Sequence, residues 1–194
     1  RSGNYEEYFT DYDVNSYLEA VKEKRGDVYK NLSRQIILQK LRAITSDNHM
    51  TLFGLLAFSS QYGLQELTAP SVSIAVTHYA GTSKVTPGNI SQVSLDDKEF
   101  NGSVPNQFES ALKLIMSKLP IRSTIEAGGK RQSYLAIPEL AIRETLANAL
   151  GHRDYSTFRS RVQVDIYADR IECANPGRSL VPLEELEKAH PQTR

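Results

Sequence analysis

The chain has 194 residues, 40% hydrophobic and 24% charged, with 23 Lys+Arg against 23 Asp+Glu and a formal net charge of zero. That balance argues against a stand-alone nucleic-acid module, which carries a basic excess, and no apolar run approaches the roughly 20 residues of a membrane span. The one cysteine, Cys173, rules out an internal disulfide and fits a reducing cytosol, so a cytoplasmic location is expected. No signal peptide is visible, the first residue is Arg1 rather than Met, and the chain stops at HPQTR without a closing element, so the sequence reads as part of a longer protein.

Residues 1–12 are polar and aromatic without periodicity and read as a linker. Val14, Tyr17, Leu18 and Val21 follow the i, i+3, i+4, i+7 spacing of a helix with one buried face, which Gly26 would end. A second helix follows, with Ser33 as a cap and Leu32, Ile36, Leu41 and Ile44 as its expected buried positions. Residues 45–48, TSDN, form a turn. The apolar run 52–58, LFGLLAF, suits a helix better than a strand because of its leucines and alanine. Helix, helix, turn and short element also outline a helix-turn-helix. The second helix offers only Arg34, Lys40 and Arg42 as basic residues, so a packing unit is preferred. Direct DNA binding through residues 13–58 is kept as the weaker alternative.

Residues 71–79, SVSIAVTHY, alternate as a strand, and 81–92 are rich in turn formers and read as a surface loop. SLDDKEF leads through a short link to an amphipathic helix over 108–119, with Phe108, Leu112, Ile115 and Leu119 inward and Pro120 as its stop. Residues 121–136 look like a hairpin turning at 127–130. Residues 161–167, RVQVDIY, alternate as a strand, and 171–174 pair back through a tight Asp169-Arg170 turn. Asn175-Pro176-Gly177 breaks that strand, and PLEELEKAHP starts a last helix. The change of pattern near residue 100 marks the expected internal boundary. Residues 13–100 would form a helical region with strand and loop, and 101–194 an α/β domain.

The most patterned stretch is 137–156, IPELAIRETLANALGHRDYS. Pro138 suits a first helical turn and Gly151 a stop. Ile142, Leu146, Ala149 and Leu150 share one face, while Glu144 and Asn148 lie one turn apart on the other. A carboxylate and a carboxamide therefore project together from a helix anchored by its back. Several other patterns fail. His152-Arg153-Asp154 copies the kinase triplet, but Arg159 stands where that motif needs Asn. Gly128-Gly129-Lys130 lacks the first glycine and the following hydroxyl of a P-loop. His49, His78, His152 and His190 share no metal-ligand spacing. Cys173, mid-strand among apolar residues, reads as a small core residue rather than a nucleophile.

Glu144-x-x-x-Asn148-Ala149 on a helix resembles the N-box of the ATPase superfamily that includes gyrase, the ninety-kilodalton chaperones, histidine kinases and MutL. There the Asn coordinates the Mg²⁺ bridging the nucleotide phosphates and the Glu polarises water. AIRETLANALGHRDYS, the VQVDIYADRIECANPG hairpin, LVPLEEL and the terminal HPQTR are similar, more narrowly, to prokaryotic transcriptional regulators described as relatives of the RecG-type DNA helicase. Members of that family combine a Schlafen/AlbA-like domain, this ATPase-like region and often a winged helix. No helicase motor motif is present.

The resemblance implies an α+β fold, with an N-terminal helical region followed by a two-layer α/β sandwich like that of the gyrase, histidine-kinase and MutL ATPases. It implies ATP and Mg²⁺ as ligands, with Glu144 as the catalytic base and Asn148 as the metal ligand. Asn148, His152, Asn175 and Gly177 would line the nucleotide. His152, Arg153 and Asp154 also read as cap of the helix and anchor of the following loop, the preferred role, with a phosphate contact by Arg153 as the alternative. The chain departs from the superfamily at three places. Asn175 replaces the adenine-binding Asp, Ser179 a glycine, and Gly151 an acidic residue. An Asn oxygen still accepts a hydrogen bond, without charge assistance. A nucleotide-responsive region of a DNA-associated transcriptional regulator, with at most a weak ATPase in the full-length protein and none in this segment, is the first expectation. A non-enzymatic interaction or dimerisation module on a degenerate ATPase-like fold is the other. DNA would be held by domains outside the segment, a homodimer is compatible, and no membrane is expected.

Overall fold

The computed structural model describes residues 5–25, 29, 31–61, 63–64, 72–84, 94–125, 131–157 and 160–177. Four helices come first: α1 (Tyr5–Tyr8), α2 (Asp11–Arg25), α3 (Arg34–Lys40) and α4 (Leu52–Phe58). Strands β1 (Ile74–His78) and β2 (Asp96–Phe100) follow, then α5 (Val104–Lys118), the hairpin β3 (Ile121–Ile125) and β4 (Arg131–Leu135), and α6 (Glu139–Gly151). Strands β5 (Val162–Ile166) and β6 (Ile171–Ala174) complete the described elements. The fold is α+β.

The main sheet has the order β2-β1-β5-β6, and β3-β4 form a separate two-stranded sheet. β1 lies parallel to β5, with Ile74 opposite Val162, and antiparallel to β2. β5 lies antiparallel to β6. Because β1 and β5 are interior strands, β1 is buried on both faces, which is why its sequence runs IAV without interruption. On one face Ile74, Val76, Val162, Val164 and Ile166 meet α5 and α6. These helices contribute Ala111, Leu112 and Ile115, and Ile142, Leu146, Ala149 and Leu150. The other face is polar. There Gln163 donates to Thr77 and to Asp165, and Lys84 pairs with Asp165 at 2.6 Å.

The N-terminal helices have a core of their own around Val14, Leu18, Ile37, Leu38 and Phe58. Residues 5–9, expected within a linker, belong to it: α1 forms there, Tyr5 and Phe9 are buried, and Phe9 bridges Ser59. Aromatic packing, Tyr5 on Phe9 and Phe9 on Phe58 at 5.6 and 5.5 Å, holds this segment without any sequence periodicity. Ser33 caps α3 as expected, accepting from the Ile36 N–H. The buried face of α3 differs, however. Ile37 and Leu38 point inward while Ile36 is 42% exposed. The helix is only 7 residues long, so a periodicity fitted from Leu32 to Ile44 overruns it. Thr51 caps α4, accepting from Gly54 N–H and donating to the Arg42 carbonyl at 2.7 Å. Arg34, one of the basic residues behind the DNA-binding alternative, is ion-paired with Asp11 at 2.7 Å.

The boundary expected near residue 100 does not divide the fold. β1 and β2 precede it and share a sheet with β5 and β6. SLDDKEF, to which the sequence pattern assigned no element, supplies the edge strand β2, whose charged side chains suit an edge. α5 starts at Val104, with Pro105 in its first turn, four residues earlier than expected. The loop beyond residue 84, the 127–130 turn and the C-terminal PLEELEKAHP helix lie outside the described residues.

Candidate functional site

The candidate site grows from α6. Pro138 sits at its N-cap, where no backbone N–H is required, and its carbonyl accepts from Ala141 at 3.0 Å. Ile142, Leu146, Ala149 and Leu150 are buried, which leaves Glu144 and Asn148 exposed on the outer side. The helix closes at His152, whose backbone N–H donates to the Asn148 carbonyl at 2.9 Å. Of the residues expected at the nucleotide, His152 thus has a visible structural task through its backbone, while its side chain is exposed.

The next residues tie the helix to the far turn. Arg153 is buried, donates from Nη2 to the Ser160 carbonyl at 2.8 Å and stacks over the Tyr155 ring at 5.0 Å. Burial lowers its pKa, and the nearby Tyr155 and Asp154 oppose that shift. Tyr155 in turn donates to the Leu150 carbonyl at 2.9 Å. The Asp154 carboxylate accepts from the Ser156 hydroxyl at 2.6 Å, the Ser156 N–H at 2.9 Å and the Thr157 hydroxyl at 3.1 Å. These bonds, the Ser156 hydroxyl first, hold its carboxyl below the ordinary carboxylate value. The Asp154 backbone N–H donates to the Pro176 carbonyl at 3.0 Å. Pro176 is buried in that junction, while Asn175 and Gly177 are exposed. Gly177 adopts φ +139°, a conformation that side chains resist, and faces Asp154.

The end of the Asn148 helix and the Asn175-Pro176-Gly177 turn are therefore joined directly, with Asp154 as the hinge pin. Arg153 and Asp154 act as loop anchors, in line with their preferred role. Glu144 lies one helical turn before Asn148 on the same exposed side. As a donor set, one carboxamide oxygen and one carboxylate are too few to hold a metal alone. They suit Mg²⁺ carried by phosphate oxygens, since that ion keeps several waters and takes few protein ligands. Among the described residues no group of three or more His, Cys, Asp or Glu side chains is placed to bind a metal. Cys173 packs against the sheet core, and burial raises its thiol pKa, as suits a structural cysteine.

A concavity of about 440 Å³ opens at the opposite end of the sheet. Its walls come from the segments that follow β1 and β5 and from the α5–β3 junction, with Tyr79 and Tyr167 prominent among them. Sequence patterns do not mark it. Its only signal there is a Tyr placed just after each of two buried strands, His78-Tyr79 and Ile166-Tyr167.

No protein-family model matches the chain, and no curated protein does. Among solved structures, the crystal structure of the DIP2311 protein from Corynebacterium diphtheriae, a structural-genomics target, is similar with a TM-score of 0.61 at 18% identity. The match covers 91% of this chain and 33% of that one, so the chain spans about a third of that protein's length. At such low identity the likeness concerns the fold alone. Among the described residues, no helix is long and apolar enough to cross a membrane.

Proposed function

We propose that α6 and the 175–177 turn form the two walls of an Mg·ATP-responsive site in a DNA-associated transcriptional regulator. The observation that carries this reading is the Asp154 N–H bond to the Pro176 carbonyl, which fixes the end of the Asn148 helix against the turn bearing Asn175 and Gly177. In this arrangement the Asn148 carboxamide oxygen meets the magnesium that accompanies the phosphates. The Glu144 carboxylate, one turn away, orients water near the terminal phosphate. Asn175 accepts from the adenine amino group, and the missing side chain at Gly177 lets the base approach the backbone. Nucleotide binding would then bias the position of neighbouring segments and, through them, DNA-holding domains elsewhere in the protein. Nucleotide affinity is modest, because an Asn at position 175 lacks the charge that strengthens the adenine bond.

The second reading, a non-enzymatic interaction or dimerisation module, is favoured by the same Asn175 and by Gly151. A Cβ built at Gly151 meets nothing within 4 Å, so its lack of an acidic side chain is not imposed by crowding. Calorimetric titration of the full-length protein with Mg·ATP separates the two. Saturable binding that weakens about tenfold or more in Asn148→Ala, equivalent to ~1.4 kcal/mol, is the expected result. Absent binding, or binding indifferent to Asn148→Ala, would overturn the nucleotide reading. A concentration-dependent dimer in light scattering without nucleotide binding would then favour the interaction module.

A further inference from the structure

The cavity at the far end of the sheet is separate from the Asn148–Asn175 region. Ile171, at the start of β6, lies opposite Ile166 and lines this cavity, whereas Ala174, next to Asn175, lies opposite Gln163. Its position follows from the topology. β1 and β5 are neighbouring parallel strands whose following segments stay joined, the Tyr79 N–H donating to the Ile166 carbonyl and the Ala168 N–H to the Gly81 carbonyl. Beyond the carboxyl ends of the two strands these segments and the α5–β3 junction line a crevice, the place where open α/β sheets bind ligands. A volume of about 440 Å³ falls within the ~300–1,000 Å³ of small-molecule sites.

The chemistry of the walls narrows the occupant. Tyr79 and Tyr167 are stacked with centroids 5.1 Å apart and planes 13° from parallel. The Arg170 guanidinium continues the stack 4.2 Å from the Tyr167 ring. Leu119, Pro120 and Ile137 supply apolar walls. The cations of the lining are already matched, Lys118 by Asp96 at 2.8 Å and Arg170 by Glu172 and Asp169 at 2.7 and 2.9 Å. No net positive field is left to select an anion, yet spare N–H donors persist. Arg170 Nη2 has no partner among the described residues, and Asp96 is the one partner of the Lys118 ammonium there. The flat aromatic wall and the donor-bearing rim suit a flat ligand with an acceptor at its edge.

We propose that this cavity binds a small, uncharged, planar aromatic compound bearing a hydrogen-bond acceptor, with its ring against Tyr79 at the open end of the Tyr79–Tyr167–Arg170 stack. The site is independent of the nucleotide reading and stands or falls separately. The test uses 2-naphthamide as probe on the chain labelled with ¹⁵N. Saturable shifts confined to the amides of residues 78–80, 95, 118–119, 136–137 and 166–171 are expected, with a Kd of about 1 mM or tighter for a ligand this small. Tyr79→Leu should weaken binding about tenfold while the spectrum stays folded, Asn148→Ala should leave it unchanged, and cyclohexanecarboxamide should bind about tenfold less tightly. Arg170→Gln provides a second variant at an exposed position and should weaken the amide probe about threefold or more by removing donors. No saturation, shifts confined to other residues, or equal affinity for the saturated amide would overturn the proposal.

Discussion

At residue scale, the junction of Asp154 with the 175–177 turn rests on one backbone conformation. Gly177 holds φ +139°, and a Cβ added there would stand 3.4 Å from the Asp154 Cβ. The contact distance is tolerable, so the cost of a side chain is conformational. Gly177→Ala should destabilise the chain by about 1–3 kcal/mol, the range for a residue forced into a nearly glycine-only region. Urea denaturation checks it, and an unchanged midpoint would contradict the described turn. The polar pair Glu144 and Asn148 was legible from helical spacing alone, because a helix with four apolar residues on one side leaves little choice for the others. The clamp between Asp154 and Pro176 was only half legible. A short Asp-x-Ser-Thr run announces a turn, but nothing in the spacing tells which distant carbonyl its N–H will reach.

At the scale of elements, α6, the short helix α4 and the edge strand β6 were readable, whereas α1 and the edge strand β2 were not. α6 matches its expected buried set residue for residue. β2 was missed because an edge strand shows one side to water, and Asp96, Asp97, Lys98 and Glu99 carry no alternating apolar signal. α4 illustrates packing over propensity. Gly54 lies inside this helix, where Ala would ordinarily gain about 1 kcal/mol. Here an added Cβ would overlap the Ala43 carbonyl oxygen and approach the Phe9 ring tip to 2.8 Å. The glycine thus allows α4 to lie directly on the 43–44 backbone, below its Thr51 cap. Gly54→Ala should therefore lower stability, by about 1–3 kcal/mol for an overpacked contact, and a thermal melt with a raised Tm would refute the close approach.

At the scale of the whole molecule, the described residues form three apolar clusters, a large one between the sheet and α5 and α6, one among the N-terminal helices, and a small one of Leu55, Leu64 and Val72. The first two are not independent halves in sequence, since the sheet recruits strands from both sides of residue 100. Composition and local pattern suggested a boundary there because neither records which strands pair across long stretches of chain. Leu146 is 1% exposed at the centre of the larger cluster. Leu146→Ala should cost about 2–5 kcal/mol through lost burial and the cavity left behind. A loss below about 1 kcal/mol in denaturant titration would place α6 outside the core.

The parallel pairing of β1 with β5 also governs the order in which the molecule can be built. The Gln163 side chain reaches Thr77, 86 residues earlier in the chain. As the polypeptide emerges during synthesis, β1 gains β2 on one side early but keeps its other edge open until Val162–Ile166 arrives. Closing so long a loop is slow relative to helix formation. During that interval the nascent chain exposes an apolar Ile-Ala-Val edge, a natural target for a holding chaperone or for misassociation between neighbouring chains. A break anywhere between residues 100 and 162 would make that interval permanent.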